Sequence, residues 1–72
     1  MINKLLCENN SGTFIILNLD KISHVEIHNA KSQDESMLCC HVFFGDQNVY
    51  LGNSSTKLLL EKMGIYICKE RQ

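Results

Sequence analysis

The chain has no proline and no tryptophan. Without proline there is no polyproline linker to hold two domains apart, and no internal repeat or low-complexity tract divides the sequence. No apolar run approaches the roughly 20 residues needed to span a bilayer. The opening Met1-Ile2-Asn3-Lys4-Leu5-Leu6-Cys7 is too short an apolar run for a signal peptide. A basic face is missing as well. Residues 57–72 carry four basic and two acidic side chains and residues 1–56 carry three and six, so the net charge of −1 splits into +2 and −3 with no stripe of Lys or Arg. That weighs against nucleic acid as the main partner. Neither G-x-G-x-x-G nor G-x-x-x-x-G-K-[ST] occurs, and no C-x-x-C does.

What is present fits one small globular domain covering 1–72. Hydrophobic residues make up 44% of the 72, too many for a disordered chain. A domain of this size buries only about 60% of its unfolded surface, so its own core is marginal and needs a staple: disulfides, metal or oligomerisation. The four cysteines, Cys7, Cys39, Cys40 and Cys68, all fall in predicted strands. There a free thiol behaves as a small buried hydrophobe. A disulfide between the vicinal Cys39 and Cys40 would be strained. The reading is reduced structural thiols in a cytoplasmic setting.

The organising stretch runs from Met37 to Ile67. Met37 to Phe44 reads as a strand with Leu38, Cys40, Val42 and Phe44 on one face and Met37, Cys39, His41 and Phe43 on the other. Both faces are apolar except at His41. A half-solvated strand should alternate, so one face is expected on the helix and the other on a second subunit. Leu38, Cys40, Val42, Phe43 and Phe44 are the expected interface residues. Gly45-Asp46-Gln47-Asn48 supplies a turn and Val49-Tyr50-Leu51 a return strand. Gly52 breaks it, and Asn53, Ser54 and Ser55 are candidate N-caps of a helix whose apolar face is Leu58, Leu59, Leu60 and Met63. Gly64 suits the left-handed position after the last turn, with Ile65 folding back on Leu60 in a Schellman stop. Ile65 to Cys68 fits a short last strand, and Lys69–Gln72 a solvated end.

Upstream, Ile2 to Cys7 is a strand and Glu8 to Gly12 a turn. Thr13 to Leu17 is a strand whose run Phe14-Ile15-Ile16-Leu17 implies burial on both faces. Asn18 to Lys21 makes a corner, with Leu19 and Ile22 inward. Ser23 to His28 alternates cleanly, Val25 and Ile27 against His24, Glu26 and His28. Asn29 to Ser36 is expected to be an exposed, mobile loop. The predicted fold is α+β: an antiparallel meander of about five strands, a curled sheet or partial barrel, with one C-terminal helix packed on it.

Chemistry-bearing groups are few. His24-x-Glu26-x-His28 places two imidazoles and a carboxylate on one strand face, and with His41 or Cys39 they form a candidate zinc or iron site. The competing reading is a solvated strand face. A Cys/His nucleophile, Cys39 or Cys40 with His41 or His24, needs a lowered thiol pKa for which the sequence offers no cause. Gly52–Ser55 at a helix start offers backbone N–H groups to an anion, or is an ordinary helix start. Phe14, Phe43, Phe44, Tyr50 and Tyr66 lack interleaved Arg and Lys, so they read as core and interface with tyrosine hydroxyls at the rim.

Met1-Ile2, the Asn10–Gly12 turn and Leu17-Asn18-Leu19-Asp20-Lys21-Ile22 through Val25-Glu26 resemble the opening of the short FlbD-type flagellar proteins. That resemblance implies strands followed by a C-terminal helix. The whole is similar to the short orphan proteins of bacterial genomes and mobile gene cassettes. Its element order is similar to the CsrA type of RNA-binding dimer, in order alone. The function expected is a non-enzymatic, self-associating protein-interaction module, a homo-oligomer with a two-fold dimer as default. It takes no cofactor and no membrane and has room for a protein partner. The alternatives are a metal- or small-molecule-binding domain using His24, Glu26, His28 and His41, and a small nucleic-acid-binding regulator.

Overall fold

A computed structural model describes residues 3–67 of the chain. The fold is α+β, with strands β1 (Lys4–Glu8), β2 (Phe14–Asn18), β3 (His24–His28), β4 (Cys39–Phe44) and β5 (Gln47–Leu51), then helix α1 (Asn53–Met63). All strand pairs are antiparallel. Met1, Ile2, Cys68 and the end Lys69–Gln72 lie outside the described residues. Ile65 to Ile67 form no strand. Among the described residues no helix is long and apolar enough to cross a membrane.

The turns follow from their residues. Between β1 and β2, Asn9 Oδ1 accepts from the Ser11 and Thr13 backbone N–H groups at 3.0 and 2.9 Å. Gly12 there takes φ 88°, which a side chain would disfavour. Between β4 and β5, Phe44 pairs with Gln47, leaving the two-residue loop Gly45-Asp46. Gly45, at φ 63°, supplies the positive φ that a II′ hairpin requires first. The 3-10 turn Leu19–Lys21 is capped by Asn18, and Leu19 is buried at the corner as its apolar character implies.

The single five-stranded meander is not what forms. The strands divide into a two-stranded sheet, β1-β2, and a three-stranded sheet, β3-β4-β5. The two meet at one bridge, Asn9 to Leu51, and at Asn10 N–H donating to the Tyr50 carbonyl at 3.0 Å. Beyond that point the helix takes over. Ser55 Oγ accepts from the Glu8 backbone N–H at 3.1 Å and donates to the Glu8 carbonyl at 2.7 Å. One buried hydroxyl thus satisfies both backbone groups that a continued ladder would have paired.

The helix start also differs from expectation. The N-cap is Gly52, with no side-chain cap bond. Asn53 donates through Nδ2 to the Leu38 carbonyl at 3.0 Å and to the Glu35 carbonyl at 2.6 Å. Ser55 is committed to Glu8, and Thr56 Oγ1 lies 3.4 Å from the Leu51 carbonyl oxygen. Two of the three expected caps, Asn53 and Ser55, instead tie the helix to the segment before β4 and to β1. At the other end Gly64 is left-handed, its N–H bonds Glu61 O, and Ile65 N–H bonds Leu60 O at 2.9 Å. This is the Schellman stop expected from Gly64-Ile65.

The core is Cys7 and Leu17 from the first sheet, Leu19 from the corner, Cys40, Val42 and Leu51 from the second, and Leu59 from the helix. Leu60 is also buried, but Leu58 and Met63 keep much of their surface. The segment 29–36 is exposed yet tied down. Asn29, at φ 63°, donates to Met37 O at 2.9 Å, and Asp34 caps a 3-10 turn over Glu35–Met37. The short side chains expected only to make a loop polar instead build its backbone turns.

Candidate functional site

Both sheets turn one face to the helix and one outward, and the outward faces hold His24, Glu26, His28 and His41. On β3-β4-β5 the register sets His28 opposite Cys39, Glu26 opposite His41 and His24 opposite Phe43, and across the next pair His41 opposite Tyr50 and Phe43 opposite Asn48. The rings close into a row. His24 stacks on Phe43 at 4.3 Å between centroids, Phe43 meets His41 at 4.2 Å, and His41 stacks on Tyr50 at 3.8 Å. His41 Nε2 also shares a hydrogen bond with Asn48 Oδ1 at 2.8 Å. His24 Nε2 stands 3.6 Å from Glu26 Oε2, both well exposed.

The expected metal set His24, Glu26, His28 and His41 is spread along this face. Phe43 lies between His24 and His41, and both of those imidazoles already have a ring partner. Among the described residues no three His, Cys, Asp or Glu side chains gather as metal ligands. A row of rings standing face to face is also a poor stacking platform, because the faces a base would use are taken up by neighbouring rings. No Lys or Arg lies on this face.

The thiols tell a similar story. Cys40 is fully buried, its Sγ accepts from Thr56 Oγ1 at 3.3 Å, and burial raises its pKa, only partly opposed by that bond. Burial likewise raises Cys7, with a smaller opposing bond from Ser55. Raised thiols are weak nucleophiles at neutral pH. Asp34 is shifted the other way, lowered by its side-chain and then backbone hydrogen bonds with Ser36.

The expected interface set splits. Cys40 and Val42 are 0% exposed within the chain and have no surface left to bury against a partner. Leu38 and Phe44 are half-buried on the same, helix-facing parity, and Phe43 is half-buried outward, covered in part by histidine rings and not by a second layer.

The larger anomaly lies on β1-β2. Their register pairs Lys4 with Asn18, Leu6 with Ile16 and Glu8 with Phe14 on the outward face. Leu6, Phe14 and Ile16 are 61%, 69% and 67% exposed. The continuous run at 14–17 suggested burial on both faces. Only Leu17 is buried, with Ile15 half-covered, because α1 lies on one side of the sheet alone. The clue was in β1, where Lys4 and Glu8 flank Leu6 at the same parity and mark that face as outward.

An open groove of about 290 Å³ lies between α1 and β3, bordered by Ile22, Val25, Ile27, Leu59, Met63 and Ile65 among others. It is apolar because the helix leans toward β1, β4 and β5.

No family model, curated protein or solved structure matches the chain.

Proposed function

We propose that this protein is a non-enzymatic, self-associating interaction module, and that the outward face of β1-β2 is its contact surface. The observation that carries the reading is the cluster Leu6, Phe14 and Ile16, each more than 60% exposed and adjacent across one register. Contiguous exposed apolar side chains of this kind mark interaction sites. β2 adds a second cue. It pairs only with β1 among the described residues and carries no charge or proline to guard its edge.

The energetics set the scale. Covering the three large apolar side chains of each copy, six in all and each about two-thirds exposed, yields about 6–12 kcal/mol gross, against an association cost of about 4–15 kcal/mol. A two-stranded face about 17 Å long also falls short of the ~800 Å² per partner of standard interfaces. The expected association is therefore weak, in the micromolar range.

The experiment is sedimentation equilibrium of the untagged chain, compared with the double variant Phe14→Thr/Ile16→Thr. Threonine keeps strand propensity while removing apolar surface. The native weight should rise with concentration toward a dimer, and the variant should stay monomeric with unchanged circular dichroism. A native chain that remains a monomer throughout the micromolar range rules the reading out.

A further inference from the structure

We infer that two copies pack their β1-β2 faces together about a two-fold axis that lies in the interface and runs across the strands, so that Lys4 of each copy meets Glu8 of the other. This rests on the self-association proposed above and adds its geometry.

The outward side of β1 reads Lys4, Leu6, Glu8: a cation, an apolar centre and an anion, evenly spaced along one strand. All three are exposed, and the only ion pair found among the described residues joins His24 and Glu26. A five-residue strand is short enough that a stacked copy covers both ends. Only two symmetric ways of stacking the face on itself keep the strands aligned. With the axis along the strands, Lys4 approaches its own copy and Glu8 does the same, setting like charges together. With the axis across the strands, Leu6 lies over Leu6, Ile16 over Ile16, and both ends pair opposite charges. Sheets stack about 10 Å apart, a gap that a lysine and a glutamate span between them. Like-charge juxtaposition disfavours the first arrangement. The second is self-complementary in both charge and apolar surface.

Edge-to-edge pairing through β1 is closed at Glu8, whose N–H and C=O are held by Ser55, so pairing through β2 is the remaining competitor, and it answers differently to charge. There β1 and its copy are separated by two intervening strands, about 14 Å at the usual strand spacing, and Lys4 and Glu8 do not meet.

The test is sedimentation equilibrium at low salt on K4E, E8K, the double variant K4E/E8K, and an equimolar mixture of the two single variants. Both side chains are exposed, so folding is retained and is verified by circular dichroism. Each single reversal should weaken self-association about ten-fold, since two opposed pairs become two like pairs. The double variant should return to near the native constant. The mixture should associate more tightly than either single variant alone, and the differences should shrink in high salt. Native association that is indifferent to the single reversals overturns this geometry and leaves self-association standing. Single variants that weaken without rescue by the double variant also overturn it. A native chain that does not associate removes both.

Discussion

The two sheets share one helix as their inner cover and finish their outer faces in different ways. The three-stranded sheet also exposes large rings, but each ring has another against it: His24 on Phe43, Phe43 on His41, His41 on Tyr50. Polar tips, Asn48 and Glu26, border the row. The two-stranded sheet exposes Leu6, Phe14 and Ile16 with only a lysine and a glutamate at the ends. Exposure alone does not distinguish an interaction surface from a finished one. What separates them is whether the exposed apolar groups are already covered by partners within the chain.

The comparison breaks first if the two sheets are not one cooperative unit. Leu59 is fully buried where the helix joins both. Leu59→Ala should cost about 2–5 kcal/mol, read as a lower urea midpoint. A single transition is expected by both circular dichroism and tyrosine fluorescence; a hairpin that melts separately would show the sheets to be independent.

The junction sharpens it next. Ser55→Ala leaves the part-buried Glu8 N–H and C=O without their partner. A loss of about 1–3 kcal/mol is expected, together with faster hydrogen exchange at the Glu8 amide than in the native chain. Unchanged exchange would mean that the sheets are joined by something other than this hydroxyl.

The ring row follows. Replacing His41 with Ala removes two ring contacts and the Asn48 bond. The expected loss is about 0.5–1.5 kcal/mol of stability, with the association constant unchanged. Weaker association in this variant would move the contact surface to the wrong sheet.

The smallest effect is alkaline. Each sheet buries one thiol, Cys7 and Cys40, raised by burial above the ordinary 9.0. Their contribution is complete below about pH 9. Above it the unfolded thiols ionise while the folded ones hold their protons, so stability falls as pH rises through the raised values. In Cys7→Ala the alkaline fall measured by urea titration should be shallower than in the native chain.

Much of the fold was legible because local chemistry dictated it. Gly64 and Ile65 announced the helix stop, Gly45–Asn48 a hairpin turn, although the strand resumes already at Gln47, and the alternation at His24–His28 the outward parity of β3. The split into two sheets was not legible. It depends on Ser55 reaching a strand 47 positions earlier, and a serine near a helix start looks locally like a cap. The same ambiguity hid the work of Asn53. In β4, alternation sorted the residues into two faces but not which face the helix takes; α1 chose Cys40 and Val42, which removed them from the expected interface. The histidine face looked like a ligand row because spacing shows parity and not what lies between. Phe43, from the neighbouring strand, stands between His24 and His41. The exposed hairpin face was masked by the unbroken run Phe14–Leu17, whose hydrophobicity carries no sign of direction.

The proposed association runs through the two-stranded face and spares the three-stranded one. Amide and methyl NMR shifts of the labelled native chain, followed across a micromolar-to-millimolar dilution series, test it most directly. Concentration-dependent shifts are expected at Leu6, Phe14 and Ile16, with Phe43 and Tyr50 unmoved. Shifts confined to Phe43, His41 and Tyr50, or a spectrum that does not change with concentration, would contradict it.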